Sequence, residues 1–207
     1  MGKWHRVALS MRGDKIDVLI NDKVVGSATD GTFTTGQIGF MVSPWQNAQF
    51  DNVAIVPTGK WPVFADKSKM TVEATSDHPG NVGGYDYDAS NAIDERPETA
   101  WNSEWEPAQP LPQALTINLG DTYKVNGFVY QPRLDDKVKG MITMYTISVS
   151  MDGKSFEPVA EGTWPTGTGT KVVRWPESKN ARYVRLDAYE SADNATASAG
   201  EIDIIVE

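Results

Sequence analysis

The residues of this chain best suited to chemistry are carboxylates and aromatics gathered into one tight turn. Asn91-Ala92-Ile93-Asp94-Glu95-Arg96-Pro97-Glu98-Thr99-Ala100-Trp101-Asn102-Ser103-Glu104-Trp105 is acidic and feeds two tryptophans. Ser198-Ala199-Gly200-Glu201-Ile202 returns a carboxylate close to the C-terminus. An all-β sandwich can bring segments this distant together. Together they offer enough oxygen for a hard cation such as calcium, which takes about six to eight oxygen ligands. A plainer reading stands beside it: Asp94 caps the turn and Glu201 pairs with a nearby arginine.

Catalysis has little to work with. There are no cysteines and only two histidines, His5 and His78, so thiol chemistry and Cys-ligated zinc are excluded. No nucleophile elbow, zinc-binding His-Glu-x-x-His or phosphate loop occurs. The acid pairs Asp135-Asp136 and Asp86/Asp88 read as solvated loop faces. The net charge of -9 disfavours nucleic acid and anionic membrane, which reward clustered Lys and Arg. No apolar run is long enough to span a bilayer, and Met1-Gly2-Lys3-Trp4 has no signal-peptide core. Trp4 already reads as strand, so the chain is expected to be an excised piece of a larger protein.

The elements that must hold the turn are strands. Short alternating runs bounded by Gly, Asp, Asn and Pro recur, and helical periodicity is nearly absent. In residues 1–57 strands are expected at Trp4–Met11, Lys15–Ile20, Lys23–Ala28, Gly36–Val42 and Gln49–Val56, with turns at Gly13-Asp14 and Asn21-Asp22. Residues 58–69, with Pro57-Thr58-Gly59-Lys60-Trp61-Pro62 at their head, read as a linker. In residues 70–207 strands are expected near Met70–Thr75, Ala114–Leu119, Lys124–Gln131, Met144–Met151, Glu157–Thr163, Thr170–Trp175, Ala181–Tyr189 and Glu201–Val206. The long loops are Ser76–Ala89, Trp105–Pro112, Arg133–Ile142, Trp164–Gly169 and Glu190–Ala197, where binding residues concentrate.

Seven stretches in register carry a resemblance. They are Asn91-Ala92-Ile93-Asp94, Thr99-Ala100-Trp101, Ile117-Asn118-Leu119-Gly120, Tyr130-Gln131-Pro132-Arg133, Tyr145 to Gly153, Ala181-Arg182-Tyr183-Val184-Arg185-Leu186 and Ala197 to Ile202. The second region resembles the discoidin, or coagulation factor 5/8 type C, superfamily, and within it the family 32 carbohydrate-binding modules. The resemblance implies a galactose-binding-like β-sandwich of jelly-roll type. The first region, through Trp4-His5-Arg6-Val7, Ile16 to Asp22, Gly36-Gln37-Ile38-Gly39-Phe40 and Phe50-Asp51-Asn52-Val53, is similar to the second half of a concanavalin or laminin-G-like jelly roll. The tandem is similar to that of secreted glycosidases such as the family 101 endo-α-N-acetylgalactosaminidases.

The resemblance also implies a site. Structural calcium would be held by the carbonyls of Asn91, Arg96 and Gly200, the carboxylates of Asp94 and Glu201, and Thr99. Glu95 stands where the family usually has glycine, so a positive φ there would carry strain. The sugar-binding residues would be Asn102, Trp105, Arg133 and Lys139. Asn102 stands in place of the usual histidine, and Lys139, before Gly140, in place of the usual asparagine. Tyr85 or Tyr87 in the Gly-rich loop offers a second aromatic platform. Trp101, Trp164 and Trp175 read as packing residues, and Arg133 has an alternative partner in Asp135 or Asp136. The resemblance therefore implies a non-catalytic, calcium-stabilised module for galactose or N-acetylgalactosamine glycans. It would be secreted or on a bacterial surface and joined to a parent-chain catalytic domain. The alternative is a structural or protein-adhesion discoidin domain without sugar binding.

Overall fold

The structure, a computed structural model, describes residues 5–32, 62–82, 85–96, 98–134 and 138–207. The chain divides into two compact units, Met1–Trp61 and Pro62–Glu207.

In the first unit β1 (Val7–Arg12), β2 (Lys15–Ile20) and β3 (Lys23–Thr29) form an antiparallel sheet in that order. Asn21 and Asp22 close the β2–β3 turn with φ of 50° and 65°, the left-handed pair that a type I′ hairpin requires. Strand alternation puts Val7, Leu9 and Met11 opposite Ile20, Val18 and Ile16 on one face. The strands expected at Gly36–Val42 and Gln49–Val56 lie outside the described residues.

The second unit is a β-sandwich, and among the described residues the chain has no α-helix. Its strands begin with β4 (Val63–Phe64), β5 (Thr71–Ala74), β6 (His78–Val82), β7 (Tyr85–Tyr87) and β8 (Trp101–Asn102). The long strands follow: β9 (Gln113–Gln131), β10 (Ile142–Ser150), β11 (Glu157–Thr163) and β12 (Lys171–Ser191), then β13 (Ser198–Ala199) and β14 (Glu201–Val206). Residues 62–69 belong to this unit rather than preceding it. Val63 and Phe64 pair with Val206 and Ile205, and Ala65 is buried in the core. Two residues are too short a run to show alternation in the sequence.

The four strands expected across residues 113–131 and 171–191 are two continuous strands that bend across both layers. The first half of β9 pairs with β5 and the end of β12, while its second half pairs with the start of β12 and with β14. Gly120, at φ +75°, lies at this corner, and a Cβ there would fall 2.3 Å from the Lys69 carbonyl. Only glycine fits such an approach. One layer thus runs β11-β10-β12-β9-β5 and the other β12-β9-β14-β4. Leu115, Ile117, Leu119, Phe128, Tyr130, Ile202 and Ile204 belong to one buried apolar core.

The tryptophans read as packing residues do pack. Trp101 is buried and its Nε1 donates to the Ser76 carbonyl at 3.1 Å. Trp175 donates to the Val125 carbonyl at 3.0 Å. Trp164 stacks on both Tyr145 and Tyr130, at 3.7 and 4.8 Å between ring centres. Each such stack contributes about 0.5–1.5 kcal/mol beyond burial itself.

Candidate functional site

One end of the sandwich gathers the candidate side chains through short pairings. β13 pairs with β8, setting Ser198 against Asn102 and Ala199 against Trp101. The buried Tyr130 hydroxyl donates to the Ser198 carbonyl at 3.0 Å and accepts from the Ile142 amide at 3.1 Å. Burial pushes that phenol well above its ordinary range, against the opposing pull of the Ile142 amide and the Arg133 charge. Gly140, at φ +75°, presses so close to Ser198 and Asn102 that a Cβ would meet the Ser198 hydroxyl at 2.8 Å. The loop before β10 is thereby pinned to the turn that carries Trp105.

An aromatic and polar cluster forms there. His78 on β6 pairs in register with Tyr87 on β7. The His78 imidazole lies flat on Trp105, with ring centres 3.4 Å apart and planes 12° from parallel. Tyr87 meets Trp105 edge-on at 5.0 Å. The Arg133 guanidinium lies 5.7 Å from the Tyr87 ring centre, within cation–π reach. The His78 Nδ1 sits 2.6 Å from Glu104 Oε1. The Glu106 amide also donates to that oxygen, at 2.8 Å, and these two bonds hold the Glu104 carboxyl below its usual range.

Of the sugar-binding residues expected from the sequence, Trp105 and Arg133 come together here. Trp105 is half-buried, and Arg133 is only 9% exposed. Asn102 is buried, its amide donating to the Ser103 carbonyl at 2.8 Å while its Oδ1 accepts from Arg133 Nη1 at 3.5 Å. Its place is behind Arg133. Lys139 is exposed, and its carbonyl accepts from the Ser198 hydroxyl at 3.5 Å. Tyr85 stands on β7 opposite Val82, with its side chain outside the described residues. Asp135 and Asp136, the alternative partners of Arg133, also lie outside them. Sequence reasoning weighed Tyr87 only as an alternative to Tyr85, and passed over His78 and Glu104. The period-two spacing of Tyr85 and Tyr87 was the available signal for β7.

The acidic turn is self-bonded. The Thr99 hydroxyl sits 2.8 Å from both Asp94 Oδ2 and the Arg96 carbonyl, and the Arg96 amide donates to Asp94 Oδ1 at 3.0 Å. Glu95 has φ 61°, in the left-handed region where a non-glycine residue is strained. Asn91 is buried and donates to Asp86 Oδ1 at 2.7 Å and to the Ala100 carbonyl at 3.3 Å. Gly200 donates its amide to the Gln131 carbonyl at 2.9 Å. Glu201 Oε1 pairs with Lys67 at 2.6 Å, and Lys67 also reaches Asp203 at 2.7 Å. Glu201 Oε2 is buried with no partner.

Burial first, then repulsion from Asp203 and Asp94, push the Glu201 carboxyl up despite Lys67. A buried carboxylate oxygen without a partner, in a carboxyl that neighbouring carboxylates repel, is what a divalent cation relieves. Among the described residues no three His, Cys, Asp or Glu side chains converge on a metal position. A cation here would rest on Asp94, Glu201 and main-chain carbonyls, a donor set suited to calcium.

The F5/8 type C domain family matches residues 71–202. Among solved structures the second unit is similar to CpGH89CBM32-5 from Clostridium perfringens, in complex with GalNAc-β-1,3-galactose. The identity is 32%, with 70% of this chain and 100% of that one covered, and the TM-score is 0.62. The family 32 module of C. perfringens NanJ, in complex with galactose, gives 31% identity over 68% of this chain and 96% of that one, at TM-score 0.59. A sialidase of Micromonospora viridifaciens is 31% identical over 144 residues, 67% of this chain and 22% of the relative. The chain spans 14% to 23% of the length of four curated relatives that it matches.

Proposed function

The chain belongs to the F5/8 type C, or discoidin, domain family, and from that membership we propose that its second unit is a non-catalytic module binding galactose or N-acetylgalactosamine in glycans. The observation that carries the reading is the convergence of Trp105, Tyr87 and Arg133 at one end of the sandwich. A galactose ring has one face of C–H groups and a rim of hydroxyls. An indole takes the first by dispersion, and a guanidinium donates to the second. Solved relatives at 31–32% identity hold galactose or GalNAc-β-1,3-galactose, which supports the choice of sugar.

The module would serve a larger secreted glycosidase, concentrating its catalytic domain on host or mucin glycans. Calcium would be structural, held by Asp94, Glu201, Thr99 and the carbonyls of Asn91, Arg96 and Gly200. In that position it tethers the start of the terminal strand to the turn leading into Trp105. No helix among the described residues is long and apolar enough to cross a membrane.

The test is a titration of galactose and N-acetylgalactosamine into the protein, followed by NMR. Resonances of Trp105, Tyr87 and Arg133 should move, with Kd of about 0.1–1 mM, or about -4 to -5.5 kcal/mol. Arg133→Ala should weaken binding at least tenfold while the melt stays cooperative. Unchanged affinity in that variant would remove Arg133 from the site.

A further inference from the structure

We propose that His78 is a positioning residue for the sugar site: locked by Glu104, it backs one face of the Trp105 indole so that the opposite face is presented to the ligand. The proposal rests on the carbohydrate-binding reading above and adds to it a residue from a separate strand pair. The imidazole and indole centres are 3.4 Å apart and the planes nearly parallel. That is van der Waals contact, so no pyranose fits between them. A sugar that packs on Trp105 must use the other face.

The backing is itself braced. The His78 Nδ1 is held 2.6 Å from Glu104 Oε1. Glu104 in turn accepts from the Glu106 amide at 2.8 Å, and its own amide donates to the Ser76 hydroxyl at 3.2 Å. The His78 side chain is 11% exposed and that of Glu104 13%, so neither swings freely into water. The His78 backbone is fixed by pairing with Tyr87, whose ring meets the indole at 5.0 Å with the two planes 83° apart. The indole is therefore set before any ligand arrives. Ordering a loosely held tryptophan on binding would otherwise weaken affinity roughly 5–10-fold.

Methyl β-galactoside titrated into the full chain, followed by NMR, tests this. In the wild type the His78 ring protons should lie upfield under the indole ring current and remain there at saturation, while Trp105 resonances move. His78→Ala should weaken binding about 5–10-fold. His78→Phe restores a flat ring without nitrogen and should recover most of the affinity. His78→Gln is polar but cannot stack, and should not. Collapse of the upfield shift on adding sugar would show the ligand taking the imidazole's place, and overturns the proposal. So does full binding by His78→Gln with loss in His78→Phe, which would make the imidazole a hydrogen-bonding contact. A wild type that responds to neither galactoside nor N-acetylgalactosaminide sinks the carbohydrate reading and this role with it. A wild-type response that His78→Ala leaves intact sinks this role alone. A melt of each variant separates loss of binding from loss of fold.

Discussion

A carboxylate oxygen without a partner is the sharpest local signal in the molecule. Glu201 Oε2 is buried and unbonded, although Lys67 satisfies its sister oxygen. If calcium answers it, saturation at a hundredfold above Kd would add about 2.7 kcal/mol. At about 2–4 °C per kcal/mol for a unit this size, chelation should lower the Tm by roughly 5–10 °C. Asp94→Ala should melt at the chelated temperature with or without calcium, and scanning calorimetry reads both. An identical Tm in calcium and in chelator would refute the site. Trp105 and Arg133 were legible as candidates because their neighbours in sequence form patterned turns. His78 was not, because its meeting with Trp105 depends on the β6–β7 pairing and on Glu104, and nothing in a 27-residue separation marks two rings as partners. Asn102 shows the converse: its place in the motif was plain, but its burial behind Arg133 depends on β13 reaching β8.

At the scale of strands, alternation was a sound guide for short, unbent strands. β2, β11 and β14 begin and end where the sequence places them. The bent strands β9 and β12 were read as four because Gly120 and the register shifts at the corner resemble turns. The β10–β11 turn was legible from Asp152-Gly153, and its chemistry yields a pH test. The Ser155 and Lys154 amides donate to Asp152 Oδ1 at 2.8 and 2.9 Å and hold the carboxyl at about 2, below the ordinary 3.8. A depressed carboxyl stabilises the fold above its unfolded value and loses that contribution as pH falls through the folded one. Wild-type Tm should therefore drop between pH 3.8 and about 2 more steeply than that of Asp152→Asn. Parallel slopes would show the turn contributes nothing to acid sensitivity.

For the molecule as a whole, the core argues for independence of the second unit. Among the described residues, every member of the buried apolar cluster lies at or beyond Ala65. A chain beginning at Pro62 should fold cooperatively, melt close to the parent temperature and keep its galactoside affinity. Loss of a cooperative transition in calorimetry would show that residues 1–61 complete the core. The division at Trp61 was visible as a change of pattern around a proline-rich stretch. Its exact place was not, because membership of Val63, Phe64 and Lys67 in the second unit depends on pairing with residues at the far end of the chain.

That far end has a consequence for how the protein is made. β14 lies between β9 and β4 in the sheet order, not at its margin. Neither neighbour reaches the other until the final strand is inserted between them. On a ribosome, the layer must wait until Glu201–Val206 has left the exit tunnel, with the apolar faces of β9 open to water meanwhile. Long-range pairings of this kind fold slowly and are exposed to misassociation while they wait. Closure of the layer during synthesis is therefore a late event, and the same insertion step makes loss of Glu201–Val206 far more damaging than loss of the first sixty residues.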